Sequence, residues 1–211
     1  MPENRHDSPT LVLVRHGETA WSRLGRHTGH TDVPLTGTGE RQAEQLGVLL
    51  RRWPITRTVA SPLQRALRTA ELAGLPAIET DAALVERDYG GYEGLTYDQI
   101  RSREPGWDAW THDVPPSPPG GPGTPGESIA DVAARVDALL ARLVPQLPGP
   151  DAGSPGPLAL VGHGHTLRIL AARWCGLDGR AGAVLNLGTG AVGLLGSIHT
   201  IRGILAWNLT R

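Results

Sequence analysis

Two short histidine-glycine motifs contain the residues best suited to chemistry. Arg15-His16-Gly17 directly follows the apolar segment Leu11–Val14, and His163-Gly164 follows the apolar segment Leu158–Val161. Both segments have the length and composition of buried β-strands. In open α/β sheets, ligand sites collect just beyond the carboxyl ends of strands. We therefore predict that the two histidines meet in one site.

The chemistry indicated by the first motif is attack on an anionic group. The guanidinium of Arg15 can hold an anion through two parallel hydrogen bonds, and the imidazole of His16 can face the electrophilic centre of that anion. Gly17 lets the backbone turn there without a steric conflict from a Cβ atom. The motif thus predicts an anion site that contains a nucleophilic imidazole.

Strands and helices alternate along the chain around these motifs. The predicted strands are Leu11–Val14, Thr56–Ala60, Ala77–Glu79, Leu158–Val161, Val184–Leu187, Val192–His199 and Ile204–Leu209. Helices are predicted from a Thr36 or Thr38 cap to Pro54, over Pro62–Ala73 and Thr96–Arg103, within Glu127–Leu147, and over His165–Trp174. This order predicts an α/β fold, a three-layer α/β/α sandwich with a mixed, mostly parallel central sheet.

We expect the 211 residues to form a single domain with long loops. Residues 1–9 are predicted to be a loose N-terminal arm, and residues 20–34 a loop that forms the near wall of the site. The stretches 113–126 and 148–157 are rich in proline and glycine, which predicts surface loops.

Composition narrows the possible partners. A net charge of −1 gives no support for a nucleic-acid or anionic-membrane partner, and no apolar run has the roughly 18–20 residues of a membrane span. The first nine residues lack the apolar core of a signal peptide, and the single cysteine, Cys175, excludes an internal disulfide. We therefore expect a cytoplasmic protein that binds neither membrane nor nucleic acid.

Further motifs complete a pattern that resembles the histidine phosphatase superfamily, the fold shared by cofactor-dependent phosphoglycerate mutases and many phosphatases. In chain order the matching motifs are Arg15-His16-Gly17-Glu18-Thr19, Thr28-Gly29, Leu35-Thr36-x-x-Gly39, Ser61-Pro62-Leu63-x-Arg65-Ala66-x-x-Thr69-Ala70, Glu86-x-x-Tyr89-Gly90-x-x-Glu93-Gly94 and His163-Gly164-x-x-x-Arg168. They cover roughly Leu11 to Trp174. The resemblance implies a phosphoglycerate mutase-like fold for the whole domain.

The resemblance also implies a role for each site residue. His16 is the implied nucleophile, which forms a phosphohistidine, and Glu86 the general acid, which protonates the leaving alkoxide and then activates water. Arg15 and Arg65 would bind the phosphoryl oxygens, with His163 as a third cationic donor, because phosphoryl transfer depends mainly on positioning and positive charge. The implied substrate-binding residues are Ser22, Thr28, Gly29, Tyr89 and Gly164, with backbone amides of the last glycine and of Thr28-Gly29 near the ligand.

Two of these roles require particular protonation states. His16 must be neutral to attack, and its flanking arginines favour the neutral imidazole. A free glutamate titrates near ~4.3, so Glu86 can donate a proton only in an acidic medium or when a neighbour such as a phosphate dianion raises its pKa. We expect an acidic activity optimum, whereas a flat rate profile between about pH 5 and 8 would count against Glu86 as the acid.

Departures from the mutase pattern favour hydrolysis. Mutases of this family carry a lysine where this chain has Tyr97 and an asparagine at Ser22, and they bind the substrate carboxylate with arginines from an inserted segment. The corresponding segment here, Glu104–Glu127, contains no arginine. The expected function is that of an acid phosphatase or sugar-phosphate phosphatase acting on a small phosphorylated substrate. A 2,3-bisphosphoglycerate-dependent phosphoglycerate mutase and a catalytically inactive phospho-ligand-binding module are the alternatives.

Other residues receive structural interpretations. Histidines 6, 27, 30, 112 and 199 are expected at the surface, whereas His165 could line the pocket. His163-Gly-His165 has no accompanying acid or cysteine cluster, so we expect no metal site, and we expect no cofactor. The apolar C-terminal strands are a candidate surface for a homodimer.

Overall fold

The structure is a computed structural model that describes residues 10–118, 124–147, 156–198 and 200–211. The predicted N-terminal arm at residues 1–9, with His6, therefore lies outside the described residues. So do residues 119–123 and 148–155 of the two predicted proline-glycine loops, and His199.

The described residues contain one mixed sheet at the centre of the fold. Its strands are β1 (Leu11–Arg15), β2 (Arg57–Ala60), β3 (Ile78–Thr80), β4 (Leu158–Gly162), β5 (Val192–Ile198) and β6 (Ile201–Leu209). Their order across the sheet is β3-β2-β4-β1-β5-β6. The first four of these positions are parallel, while β5 and β6 are antiparallel to their neighbours.

The helices connect these strands in the predicted alternation. They are α1 (Ala20–Arg23), α2 (Gly37–Leu50), α3 (Gln64–Leu72), α4 (Tyr97–Arg101), α5 (Ile129–Leu143) and α6 (Gly164–Trp174). Short 3₁₀ turns occupy Ala82–Leu84, Gly90–Tyr92, Val144–Gln146 and Gly179–Val184. Thr36 is the N-cap of α2, since its hydroxyl accepts the backbone N–H of Gly39 at 3.1 Å.

The two faces of β1 show why the fold has three layers. Leu11 and Leu13 pack into a core with residues of α5 and α6, whereas Val12 and Val14 pack into a second core with residues of α2 and α3. Successive side chains of a strand point to opposite faces, so a continuously apolar strand must be covered on both sides. The predicted α/β/α sandwich with a mixed, mostly parallel sheet is confirmed.

The register of the parallel strands brings their carboxyl ends to one edge. Arg15 at the end of β1 pairs with Gly162 at the end of β4, and Ala60 at the end of β2 pairs with Val161. The residues that follow these strands therefore lie side by side. This edge collects the residues that the sequence analysis assigned to the site.

One predicted strand, Val184–Leu187, is wrong. Its first residue ends the 3₁₀ turn Gly179–Val184, and the rest of the segment is not in a strand. Arginine side chains bind the carbonyls at both ends of this segment: Arg168 donates to Gly182 and Ala183, just before it, and Arg15 donates to Leu187 at its end.

Other predicted elements also differ at their starts. The strand predicted over Ile204–Leu209 begins at Ile201. The helix expected from Pro62 begins at Gln64, with its backbone N–H held by the Asp32 carboxylate at 2.9 Å. The loop expected over residues 20–34 contains the one-turn helix α1, which the Thr19 side chain caps. No helix in the described part of the chain has both the length and the apolar character needed to cross a membrane.

Candidate active site

His16 and His163 meet at the carboxyl edge of the sheet, as predicted. Each follows directly after one of the paired strands β1 and β4, and the backbone N–H of His16 donates to Gly162 at 3.0 Å. The two imidazole centroids are 5.1 Å apart, and both residues are buried. Residues separated by almost 150 positions in the chain therefore line the same small space.

The ring of His16 is oriented for attack through one nitrogen. Its Nδ1 lies 2.7 Å from the carbonyl oxygen of Gly17, and a carbonyl can only accept, so Nδ1 carries the proton. In the neutral ring this leaves the lone pair on Nε2. Burial, followed by the charges of Arg65 and Arg15, lowers the pKa of His16 to about 3. His16 is thus a neutral imidazole throughout the ordinary pH range.

Glycine is required on both sides of the backbone that holds this ring. A Cβ atom on Gly17 would lie 2.3 Å from the carbonyl oxygen of Gly39, and one on Gly39 would lie 2.1 Å from the carbonyl oxygen of Glu18. The start of α2 therefore packs directly on the backbone after His16. This contact explains the physical role of the Leu35-Thr36-x-x-Gly39 motif.

Arg65 is a fully buried organiser of the site. Its Nη atoms donate to the carbonyl oxygens of Thr28 at 3.3 Å, Gly29 at 2.8 Å and Thr31 at 2.9 Å, and its Nε donates to Nδ1 of His163 at 3.1 Å. One side chain thus fixes the loop after α1 and the orientation of the second histidine. Burial lowers the pKa of Arg65, but the guanidinium stays protonated.

The bond from Arg65 also sets the tautomer of His163. Because Nδ1 accepts a hydrogen bond from Arg65, Nε2 carries the ring proton, and the Nε2–H donates a hydrogen bond to the hydroxyl of Ser61 at 2.8 Å. Burial and then the charge of Arg65 lower the pKa of His163 well below its usual value. The ring is therefore a neutral donor, which differs from the cationic donor that the sequence analysis expected.

The guanidinium of Arg15 has a buried hydrogen-bond donor that the described residues leave unpaired. One Nη atom donates to the carbonyl of Leu187, while its buried Nε–H has no acceptor among the described residues. The guanidinium also packs on Gly164, where a Cβ atom would lie 3.3 Å from Cζ of Arg15. Gly164 therefore acts by making room for Arg15. An unpaired buried donor is costly unless a ligand satisfies it, which indicates an anion site.

Substituting Gly164 by alanine should move Arg15 without unfolding the protein. The added methyl group meets the far end of a flexible side chain, and alanine is the better helix former at the start of α6. We expect the free energy of unfolding to change by less than about 1 kcal/mol and kcat/KM to fall roughly tenfold. Urea unfolding and steady-state kinetics on the same preparation test this. An unchanged kcat/KM would show that the position of Arg15 is unimportant.

Glu86 is held at the amino terminus of α6, close enough to His16 for its charge to act on that imidazole. Its carboxylate accepts backbone N–H groups of Arg87 at 2.9 Å, His165 at 3.0 Å and Thr166 at 3.0 Å, and the Thr166 hydroxyl at 3.1 Å. An N-terminal helix end attracts negative charge, so this arrangement favours the ionised carboxylate. Its charge acts on the pKa of Arg15, Arg65 and His16.

The surroundings of Glu86 lower its pKa. Burial alone would raise it, but the imidazole of His165 and the three backbone donors outweigh burial, so that the pKa is about 2. The protein itself therefore does not supply the raised pKa that a resident proton donor would need. Only a second negative charge beside the carboxylate, such as a bound phosphate, can supply it.

The two residues after Glu86 attach the proline-glycine loop to the site. Arg87, fully buried, donates to the carbonyls of Ala109, His112 and Glu127. The Asp88 carboxylate accepts the Thr124 hydroxyl at 2.8 Å and the Gly126 N–H at 2.9 Å. Both described ends of this loop thus depend on the Glu86 segment.

Two aromatic residues, Tyr89 and Trp110, contact His165, whose backbone binds Glu86. The Tyr89 hydroxyl lies 2.6 Å from Nδ1 of His165, and the Trp110 ring stacks on His165 with a centroid distance of 4.5 Å. The Arg168 guanidinium covers Trp110 at 4.4 Å. Tyr89 is therefore in the site region, as predicted, and His165 lines it.

The remaining predicted substrate-binding residues have other contacts. The Ser22 hydroxyl is used in the capping box of α1 with Thr19. The carbonyls of Thr28 and Gly29 hold Arg65, and the Gly29 N–H donates to the Glu93 carboxylate at 2.8 Å. The Gly29 amide that was expected to face a ligand is thus already paired. Thr28 and Gly29 therefore position Arg65.

Sequence reasoning missed two contacts within the site and placed one histidine wrongly. Ser61 and Thr69 belong to the motif that begins at Ser61-Pro62. Only the structure shows that Ser61 contacts His163 and that Thr69 accepts the Gly17 N–H. His27 was expected at the surface and is half-buried against Tyr89 and Trp107. His30 and His112 are exposed, as expected. The part of the chain that the structure describes holds no group of three or more side chains arranged for a metal ion.

Comparison with known proteins gives consistent matches over nearly the whole chain. A family model described as the histidine phosphatase superfamily (branch 1) matches residues 11–210. An acid phosphatase of Mycobacterium tuberculosis is 42% identical over 202 residues, which cover 95% of this chain and 92% of that protein. A probable phosphoglycerate mutase of Klebsiella pneumoniae is 39% identical over 180 residues, which cover 84% and 80%.

Solved structures agree with these matches. The structure of an open reading frame from Mycobacterium tuberculosis has a TM-score of 0.84 at 42% identity, covering 95% of this chain and 97% of that chain. A mycobacterial glucosyl-3-phosphoglycerate phosphatase, in a complex with VO3, has a TM-score of 0.77 at 32% identity, covering 95% and 99%.

Proposed function

Because this chain belongs to the histidine phosphatase superfamily and is a phosphatase enzyme, we propose that it hydrolyses small phosphomonoesters through a phosphohistidine on His16. The observation that supports the proposal most directly is the tautomer and position of the His16 ring. The Nδ1–H of His16 is bound to Gly17, and its free Nε2 shares one sheet edge with His163 and the unpaired Nε–H of Arg15.

In the first half-reaction, Nε2 of His16 attacks phosphorus opposite the leaving group. A substrate that binds as the monoanion first transfers its proton to the Glu86 carboxylate. The phosphorus–oxygen bond then breaks with its electron pair on the departing oxygen, and Glu86 passes that proton to this oxygen. Arg15 and Arg65 stabilise the negative charge on the equatorial oxygens. The Nε2–H of His163 also donates to a phosphoryl oxygen, which then shares or replaces the Ser61 hydroxyl as its acceptor.

In the second half-reaction, water attacks the phosphohistidine. Glu86, now a carboxylate, takes a proton from the water, and the bond between phosphorus and Nε2 breaks with its electron pair on the ring. Phosphate and neutral His16 result. The four donors that hold Glu86 keep the same carboxylate in place for both steps.

Hydrolysis is favoured over mutase activity by the chain that adjoins Glu86. The segment Glu104–Glu127 has no arginine, and so offers no guanidinium for a substrate carboxylate. The neighbouring Arg168 uses its Nε and one Nη on the carbonyls of Gly182 and Ala183. A phosphorylated intermediate without such an anchor is expected to react with water.

The direct test is to trap the phosphoryl enzyme. A phosphomonoester panel containing sugar phosphates, glycerol phosphate and p-nitrophenyl phosphate is turned over at pH 5.5 and 7, and the reaction is quenched in base because phosphohistidine is labile in acid. Peptide mass spectrometry should place one added phosphoryl group on His16. Conversion of 3-phosphoglycerate to the 2-isomer with catalytic 2,3-bisphosphoglycerate, faster than phosphate release, would instead establish a mutase.

A further inference from the structure

A buried nitrogen beside Glu86 lacks a partner. The Nε2 of His165 is shielded from solvent and has no hydrogen-bond partner among the described residues. Its ring lies near Glu86, since the charges of the two groups shift each other's pKa, and the backbone N–H of the same residue donates to Oε2 of Glu86 at 3.0 Å. An unpaired buried polar atom is rare and requires an explanation.

The contact with Tyr89 decides whether this nitrogen is a donor or an acceptor. The Tyr89 hydroxyl has one hydrogen-bond neighbour in the described chain, Nδ1 of His165 at 2.6 Å. If the imidazole donated to the phenol oxygen, the hydroxyl proton and Nε2 would both lack partners. If the phenol donates, only Nε2 of His165 lacks a partner among the described residues. The tyrosine therefore donates, and the neutral ring carries its proton on Nε2.

The ring is also fixed in position. Trp110 stacks on it at 4.5 Å with an interplanar angle of 27°, and the Arg168 guanidinium lies over the other end of this stack. Burial lowers the pKa of His165 to about 3, so the ring is neutral at the pH values of an enzyme assay. A rigid donor loses little conformational entropy when it binds an acceptor.

We propose that His165 is a specificity-determining residue whose Nε2–H donates to an oxygen of the leaving group next to the ester bond. The inference rests on the proposed function, in which Glu86 faces the departing oxygen. The favoured substrates are then polyol and sugar phosphates, which carry a hydroxyl on the neighbouring carbon. A leaving group without this hydroxyl leaves the buried donor unpaired, and such sites discriminate strongly against it.

A matched pair of substrates measures this contact. Glycerol 2-phosphate and isopropyl phosphate have the same carbon skeleton, but only the first has neighbouring hydroxyls. The quantity measured is the ratio of their kcat/KM values. We expect His165→Phe, which keeps a ring against Trp110 but removes the donor, to lower this ratio about tenfold relative to wild type. The comparison with wild type cancels the intrinsic reactivity difference between the two esters.

Further variants separate donation from packing. His165→Gln retains an N–H near the position of Nε2 and should restore part of the ratio. Tyr89→Phe removes the donor that holds the proton on Nε2 and should lower the ratio by a few fold. His27→Phe is the matched control, because this second imidazole also contacts Tyr89, with a centroid distance of 4.7 Å, and bonds the Leu95 carbonyl. It should leave the ratio unchanged.

The outcomes distinguish the inference from the proposed function. If wild type hydrolyses both esters and His165→Phe slows them equally, His165 has a structural role and the inference is wrong. An equal shift of the ratio in His27→Phe would also contradict it. If wild type hydrolyses no phosphomonoester, the proposed function fails first. Circular dichroism and thermal unfolding of each variant confirm folding, and the glutamine variant retains the test if the phenylalanine variant does not fold.

Discussion

His16→Ala should lower kcat for phosphomonoester hydrolysis by roughly 10⁴- to 10⁶-fold, the range seen when an enzymatic nucleophile is removed. The neighbouring imidazole of His163 cannot take its place. The ring of His163 is engaged through both nitrogens, by Arg65 and by Ser61, and therefore has no free lone pair directed at phosphorus.

We expect the His16→Ala substitution to impair the chemical step far more than phosphate binding. Arg15 and Arg65 do not depend on the His16 side chain for their hydrogen bonds, so phosphate binding should weaken much less than turnover. Isothermal titration with inorganic phosphate and base-quench trapping would measure binding and phosphorylation separately. Residual turnover within about 100-fold of wild type, or a phosphoryl enzyme still formed by the alanine variant, would mean that another residue is the nucleophile.

Glu86→Gln should produce the second large effect, and its size should depend on the leaving group. An alkoxide needs a proton as it departs, whereas p-nitrophenolate is a stable anion. We expect kcat/KM for isopropyl phosphate to fall about 10²- to 10⁴-fold, the range for loss of a general acid, and that for p-nitrophenyl phosphate only about tenfold. Because kcat/KM reports steps up to the first irreversible one, it isolates phosphorylation from the later attack of water.

The variant needs a stability control, because glutamine cannot accept all the bonds that the carboxylate accepts. Its amide group would face the His165 N–H that now donates to Oε2 at 3.0 Å. Glu40→Gln, which changes a carboxylate on α2 whose side chain is 47% exposed and pairs with Arg68, is the matched surface variant and should keep full activity. Equal losses for the alkyl and aryl esters in Glu86→Gln would rule out proton donation.

The pH dependence follows from the same residues. Glu86, with a pKa of about 2, is ionised at pH 4 to 8, so the proton must arrive with the substrate, whose second ionisation lies near pH 6. The value of kcat/KM for an alkyl ester should therefore rise as pH falls through about 6. His16 stays neutral down to about pH 3, so the nucleophile is not lost in this range. A rate that falls below pH 6.5 in parallel with protonation of an ordinary histidine would contradict this assignment.

The sequence predicted the structure best where the local residue pattern and the packing of the folded chain favour the same arrangement. The continuously apolar strands β1 and β4 must be buried on both faces, and each runs into a histidine, so the meeting of His16 and His163 could be predicted. The same holds for Thr36 as a helix cap. The C-terminal part was harder to predict, because the carbonyls of residues 182, 183 and 187 bind arginines of two other elements, Arg168 of α6 and Arg15 of β1.

The protonation states could not be read from residue types. The sequence suggests a cationic His163, a free Gly29 amide and a Glu86 with a raised pKa. The structure instead gives a neutral donor, an amide paired with Glu93, and a carboxylate held by four donors. Each of these depends on which groups surround a buried atom, and those groups come from several parts of the chain.

By itself, the sequence determined the layered fold, the family and the residue types gathered at one edge of the sheet. The fold follows from hydrophobic periodicity, the site from residues that adjoin strand ends, and the family from the resemblance of the ordered motifs. Only the tertiary structure decided how the site can work: which ring nitrogen of His16 is free, why that ring stays neutral, and which donor beside Glu86 has no partner among the described residues. The physical reason is that tautomers and pKa values depend on burial and on hydrogen-bond partners, which exist only once distant segments have packed together.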